Sequence, residues 1–277
     1  MSDTRAIGVF DSGLGGLSAV RQLIRLAPAE DIVFFGDTAR VPYGGRPAET
    51  ITRYALEDIS FLLEQDVKMI VAACGTVSST LPAALSARIP VLYTGVIEPT
   101  ARAAAAATKN RRIGVIGTRA TIKSGSFVRE LERILPGVVT VPQACPMFVP
   151  LVENGCFARD CEPTRYFARE YLAPLIERQV DTVILGCTHY PLIRDIISDV
   201  LGAGVALIDS GYETAKAALA QLDGAQRRNP DGGRRRYYTS DSPDDFSTIA
   251  ENFLGYPVHD EVGRVDLRVV KTADCFP

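Results

Sequence analysis

Two short runs of this chain are built alike. Met69-Ile70-Val71-Ala72-Ala73 leads into Cys74-Gly75-Thr76, and Thr182-Val183-Ile184-Leu185-Gly186 leads into Cys187-Thr188-His189. Apolar runs this short read as strands covered on both faces, which is how parallel sheets are built. Small residues followed by a polar group mark the C-terminal end of such a strand, where open α/β sheets hold their ligands. Two thiols placed alike in two similar units predict a single site with a thiol on each side.

The remainder of the chain keeps the same rhythm. Strands are expected at residues 7–10, 31–35 and 90–92, with helical periodicity over 17–26 and 49–65 and a helix starting near Ser78. The pattern restarts at Arg112-Ile113-Gly114-Val115-Ile116-Gly117-Thr118. A helix over 125–134, a strand over 138–141, a helix over 163–179 and a strand over 205–208 follow. A polar loop at 224–233, a strand near 236–239 and a helix over 243–254 close the chain. Alternation of strand and helix predicts an α/β fold with parallel sheets and helices on both faces. The 277 residues suit two domains. The restart divides them into 1–97 plus 209–277, carrying Cys74, and 98–208, carrying Cys187: two similar, doubly wound units.

Charge narrows the possible partners. A net charge of −3 offers no electrostatic basis for nucleic acid. The run Arg234-Arg235-Arg236 is flanked by Asp231, Asp241, Asp244 and Asp245 and reads as a solvated face. The opening Met1-Ser2-Asp3-Thr4-Arg5 lacks the apolar core of a signal peptide, and no apolar stretch reaches the length of a membrane span. A cytoplasmic protein with reduced thiols is expected. Cys145, Cys156, Cys161 and Cys275 lack the spacing of a zinc site, and the chain has only two histidines, His189 and His259, so no metal is expected.

The chemistry then turns on what acts on the thiols. Ser and Thr after Cys74 suit a helix N-terminus, which favours a thiolate. Cys187 has Thr188 and His189 beside it, a hydrogen-bond donor and a proton partner. Asp11-Ser12-Gly13-Leu14-Gly15-Gly16 is a glycine-rich turn between strand and helix, and Asp37 ends the next strand. That arrangement supports a second reading, a nucleotide-binding sensor module. Against it, Ser18 stands where the third glycine of the dinucleotide fingerprint belongs, and the Asp11 carboxylate repels a pyrophosphate. It suits an ammonium group or a proton transfer instead. Thr118 and Thr121 read equally as carboxylate binders and as helix caps, and Glu153 alone reads as an exposed loop acid.

Together these stretches resemble the glutamate racemases of bacterial cell-wall synthesis. The matching pieces are Phe10-Asp11-Ser12-Gly13-Leu14-Gly15-Gly16-Leu17, Gly36-Asp37-Thr38-Ala39-Arg40-Val41-Pro42-Tyr43-Gly44, Ala73-Cys74 and Gly186-Cys187-Thr188-His189-Tyr190-Pro191-Leu192. The resemblance implies a cofactor-independent, two-base racemase acting on glutamate as its small-molecule substrate. It implies an active site in an interdomain cleft and a homodimer. Cys74 would take the proton from D-glutamate and Cys187 from L-glutamate, with Asp11, His189 and Glu153 assisting. Ser12, Pro42, Tyr43, Gly44, Gly75, Thr76, Thr118, Thr121 and Thr188, with Asp11, would bind substrate. Two thiols on opposite faces permit inversion, which a single thiol does not, and this argues against the related one-cysteine decarboxylases. One departure stands out. The family usually reads Ala-Cys-Asn-Thr, whereas position 75 here is Gly, leaving the amide's contact to a backbone N–H or a water. An aspartate or other acidic amino-acid racemase is the alternative, and His189-Tyr190-Pro191 favours glutamate. The short N-terminal lead leaves no room for the extension with which some members sense a cell-wall precursor.

Overall fold

The computed structural model describes residues 3–244, 246–270, 272–273 and 276. Met1, Ser2, Asp245 and Cys275, all used in the sequence reading, lie outside them. The chain begins with β1 (Ile7–Asp11), α1 (Leu17–Leu26), β2 (Ile32–Gly36), α2 (Ala48–Glu64), β3 (Met69–Ala72), α3 (Gly75–Thr80), α4 (Ala83–Ser86), β4 (Leu92–Gly95) and α5 (Ile97–Ala107). It continues through β5 (Arg112–Gly117), α6 (Arg119–Ser124), α7 (Ser126–Ile134), β6 (Val139–Ala144), α8 (Phe148–Glu153), α9 (Glu162–Glu177), β7 (Thr182–Leu185) and α10 (Arg194–Leu201). It ends with β8 (Ala206–Asp209), α11 (Ser210–Gly224), β9 (Arg235–Thr239), α12 (Phe246–Leu254) and β10 (Val262–Arg264).

The strands form two sheets, ordered β10-β9-β2-β1-β3-β4 and β6-β5-β7-β8, and every pairing is parallel. β1, β2, β3 and β7 are buried along their whole length, as strands covered on both faces must be. In α2 the buried residues Ile51, Ala55, Ile59 and Leu62 recur every three or four positions, so one stripe of the helix is apolar. One cluster of buried apolar side chains includes Val9 and Val71 of the larger sheet and Ile116 and Leu185 of the smaller. The two sheets therefore share a core, which fixes their cysteine-bearing strand ends relative to each other.

Several local expectations change. The helix expected near Ser78 starts at Gly75, with Cys74 itself at the N-cap position. Ser78 does not cap it, because its hydroxyl donates to the Ala72 carbonyl. The helix expected over 125–134 is α7, and a further short helix, α6, precedes it; the two are separated at Gly125, whose φ of +65° is left-handed and suits glycine. The 224–233 segment is tied down as well as polar: the Asn229 N–H donates to buried Glu30, and the Gly233 and Arg234 N–H groups donate to Asp31. Arg234 of the basic run makes a two-pronged ion pair with Asp31, and Arg235 opens β9, so the run is more than a solvated face.

Candidate active site

The cysteine-ended strands β3 and β7 deliver Cys74 and Cys187 to the wall of one cavity of about 430 Å³. Ser12, Pro42, Tyr43, Gly44, Gly75, Thr76, Thr118, Thr188, His189 and Glu153 line it too. Two expected residues stand behind the wall. Asp11 is 1% exposed at the end of β1, beneath the Ser12–Gly13 turn. Thr121 is buried in α6 and reaches the cavity only through Thr118, their hydroxyl oxygens 3.0 Å apart.

The surroundings of the two thiols differ in sign. The Cys74 S–H donates to Ser12 Oγ at 3.4 Å. Burial and the nearby Asp11 carboxylate push this thiol up to about 12, so at neutral pH it holds its proton. The helix N-terminus expected to favour the thiolate is outweighed. Asp11 accepts from the Gly13 N–H through Oδ2 at 3.1 Å, while Oδ1 has no partner among the described residues. Burial raises its carboxyl and His189 pulls it back. The glycine-rich turn thus spends an N–H on the chain's own carboxylate, and Asp37 is fully buried, so neither feature offers a nucleotide cradle.

On the other side, Cys187 Sγ lies 3.8 Å from His189 Nδ1, and His189 Nε2 lies 3.0 Å from Glu153 Oε1. Burial pulls the imidazole down, but contact with Cys187 and Glu153 carries it to about 10, so it is protonated at neutral pH. An imidazolium beside a sulfur favours its anionic form. Glu153 is exposed as expected, but it sits at the end of α8 rather than in a loop, and the helix aims it at the imidazole. The Phe253 ring of α12 packs edge-on against His189, ring centres 5.3 Å apart, and holds it from behind.

The family model for Asp/Glu/Hydantoin racemases matches residues 7–218. The chain belongs to this racemase family. A glutamate racemase of Geobacter metallireducens is 45% identical over 269 residues, covering 96% of this chain and 98% of that protein. The crystal structure of a Thermus thermophilus glutamate racemase in complex with beta-chloro-D-alanine is similar with a TM-score of 0.86 and 42% identity, covering 97% and 99% of the two chains. That of Francisella tularensis glutamate racemase in complex with D-glutamate gives a TM-score of 0.88 at 32% identity, covering 96% and 98%.

In this member of the racemase family the two sides of the cleft touch through small residues. Thr76 and Thr118 bring their hydroxyl oxygens to 3.0 Å across it. Thr118 also caps α6, accepting from the Thr121 N–H, as the cap reading expects. At Gly75 an added Cβ would lie 2.3 Å from the Gly186 carbonyl oxygen. A side chain there cannot coexist with this separation, so the glycine lets the two cysteine-bearing backbones meet. Sequence reasoning missed Gly13, Val41, Gly45, Arg119, Pro146, Val149, Pro150 and Gly186 in the wall. Arg119 and Gly186 adjoin residues already singled out; the Pro146–Pro150 stretch carried no signal, because nothing in its composition tells where α8 will pack.

Proposed function

We propose that the protein is a cofactor-independent glutamate racemase that converts L-glutamate to D-glutamate for peptidoglycan synthesis in the cytoplasm, working as a homodimer. The sharing of strands between two sheets supports residues 1–97 with 209–277 as one domain and 98–208 as the other, with substrate between them. The observation that carries the reading is the pair of thiols on one cavity, one beside a carboxylate and one beside an imidazolium.

In the L to D direction, Cys187 acts as thiolate and removes the α-proton. The electron pair left on the α-carbon spreads into the substrate carboxylate. Cys74 then gives its S–H proton to the opposite face of that carbon. The product is D-glutamate, with Cys187 protonated and Cys74 anionic; the reverse reaction runs the same steps backwards. His189 supplies the counter-charge for Cys187, with Glu153 holding the imidazolium. Asp11 and Ser12 serve Cys74. Ser12, Pro42, Tyr43, Gly44, Gly75, Thr76, Thr118, Thr121 and Thr188 hold the substrate's charged ends, Thr121 through Thr118. Such groups contribute by fixing the reacting atoms and by meeting developing charge.

Incubation of L-glutamate with the protein in deuterated water, with no added cofactor, tests this. Optical rotation should decay to zero as deuterium enters the α-position. Parallel runs with aspartate distinguish the alternative substrate. Failure with every acidic amino acid would sink the reading.

A further inference from the structure

Behind the turn that walls the cavity lies a cluster with more carboxylates than cations. Tyr43 opens that turn, residues 43–45, and its hydroxyl points away from the cavity into the protein. There it meets Asp37 Oδ2 and, at 3.2 Å, Asp58 Oδ2. Both aspartates are 0% exposed. Arg40 reaches Asp37 Oδ2 at 2.5 Å and Asp58 Oδ1 at 2.9 Å, and also pairs with Glu57. Ser240 donates to Asp37 Oδ1 at 2.7 Å.

Hydrogen-bond accounting decides where the protons are. A tyrosine hydroxyl has one hydrogen. The closer contact, to Asp37, takes it. The Asp58 contact then sets two oxygens face to face, and it is a hydrogen bond only if Asp58 supplies the hydrogen. Asp37 has its acceptor positions filled by Arg40, Tyr43 and Ser240, which suits an ionised carboxylate. We propose that Asp58 is a positioning residue that works as a neutral carboxylic acid, donating its own proton to the Tyr43 oxygen and so fixing the 43–45 turn against the substrate.

The surroundings agree. Burial first, then the Asp37 charge, hold the Asp58 carboxyl well above the usual carboxylate range, with Arg40 opposing. The charged or titratable groups facing Asp58 are Asp37 after β2, Arg40 and Tyr43 in the turns, and Glu57 on its own helix. The turn it holds bears directly on the cleft: a Cβ added at Gly44 would lie 3.2 Å from Thr118 Cβ on the far side. When the Asp58 proton is lost, a second carboxylate confronts Asp37 and the Tyr43 oxygen in a buried space. The turn then gives way, and substrate binding weakens more than turnover.

This inference rests on the racemase reading of the cavity, and its test has a readout that does not. In wild type, KM for glutamate should rise at alkaline pH with kcat changed less. Asp58→Asn keeps an N–H for Tyr43 and an oxygen for Arg40. It should retain the neutral-pH KM and lose the alkaline rise. Asp58→Ala should raise KM roughly tenfold across the pH range, because the Tyr43 oxygen and Arg40 lose a buried partner. Independently, the infrared difference between wild type and Asp58→Asn at neutral pH should contain the C=O stretch of a protonated carboxylic acid. Absence of that band, or an Asn variant as impaired as the Ala variant, overturns the proposal. A protein inactive on all acidic amino acids that still shows the band would sink the racemase reading and leave the Asp58 proton standing.

Discussion

The two ends of the cavity carry the same nucleophile in opposite electrical settings. Cys74, at the end of β3, is buried beside the carboxylate of Asp11 and keeps its proton. Cys187, at the end of β7, lies beside an imidazole held protonated up to about pH 10. Near-duplicate strands have thus been given unlike neighbours. A racemase needs this, because each turnover requires one sulfur with a proton and one without. The asymmetry has a thermodynamic limit. Enantiomers are equally stable in water, so kcat/KM must be the same in both directions. The unlike neighbours can therefore make the two directions differ only in how that ratio divides between kcat and KM.

The largest effect should come from removing either thiol. Cys74→Ser and Cys187→Ser should each lower racemization by at least ~10³-fold, the scale of a lost general acid or base. Their residues of activity should be mirror images. Cys187→Ser should still wash deuterium into D-glutamate, and Cys74→Ser into L-glutamate. Washing in the same enantiomer for both variants would break the assignment of faces.

His189→Asn should cost about 10²-fold in kcat/KM, equally in both directions, by removing a preorganised charge. In wild type, kcat/KM should fall as pH rises through about 10, where the imidazole loses its proton. The sign follows from the shift: a group raised in the folded protein is protonated below that value and neutral above it. His189→Asn should lose the part of this fall that appears in kcat and keep the rise in KM that comes with loss of the Asp58 proton. If kcat in that variant still falls over the same range, the Cys187 side does not depend on an imidazolium.

Gly75→Ala tests the seam between the two sides. A single methyl would meet the Gly186 carbonyl oxygen at 2.3 Å, so the cleft must open. Misplacement on the ångström scale costs up to about 10²-fold, and we expect a loss of ten- to a hundredfold in kcat with the thermal transition unchanged. Deuterium exchange should suffer less than racemization, because exchange needs one thiol and inversion needs both. Equal losses would show that the seam does not set the distance between the thiols. The smallest change should be Glu153→Gln. Its carboxylate is half exposed, so we expect no more than about fivefold in rate, with the alkaline limb moved to lower pH.

The sheets and both cysteines were readable from sequence, because a fully buried parallel strand is a continuous apolar run and its end is marked by a change to small and polar residues. The helix at Gly75 was misjudged because a hydroxyl residue looks like a cap wherever it stands; Ser78 bonds backward to Ala72 instead. The gain in acidity expected for Cys74 failed for a related reason: the Asp11 charge and the depth of burial come from tertiary packing, which outweighs the nearby helix end. The helical setting of Glu153 depends on α8, a six-residue element too short to show periodicity. Gly75 was noticed as a missing amide, whereas its contact with Gly186 joins positions more than a hundred residues apart and has no local signature.

The order of strands also has a consequence for how the chain is made. All four strands of the smaller sheet have been synthesised by Asp209. The larger sheet is different: β2 pairs with β9, which spans Arg235–Thr239. Until the ribosome has delivered β9, β2 is an unpaired edge of apolar residues, of the kind that invites association with other chains. The smaller sheet, from the middle of the chain, can therefore close while the larger one waits for its last strands.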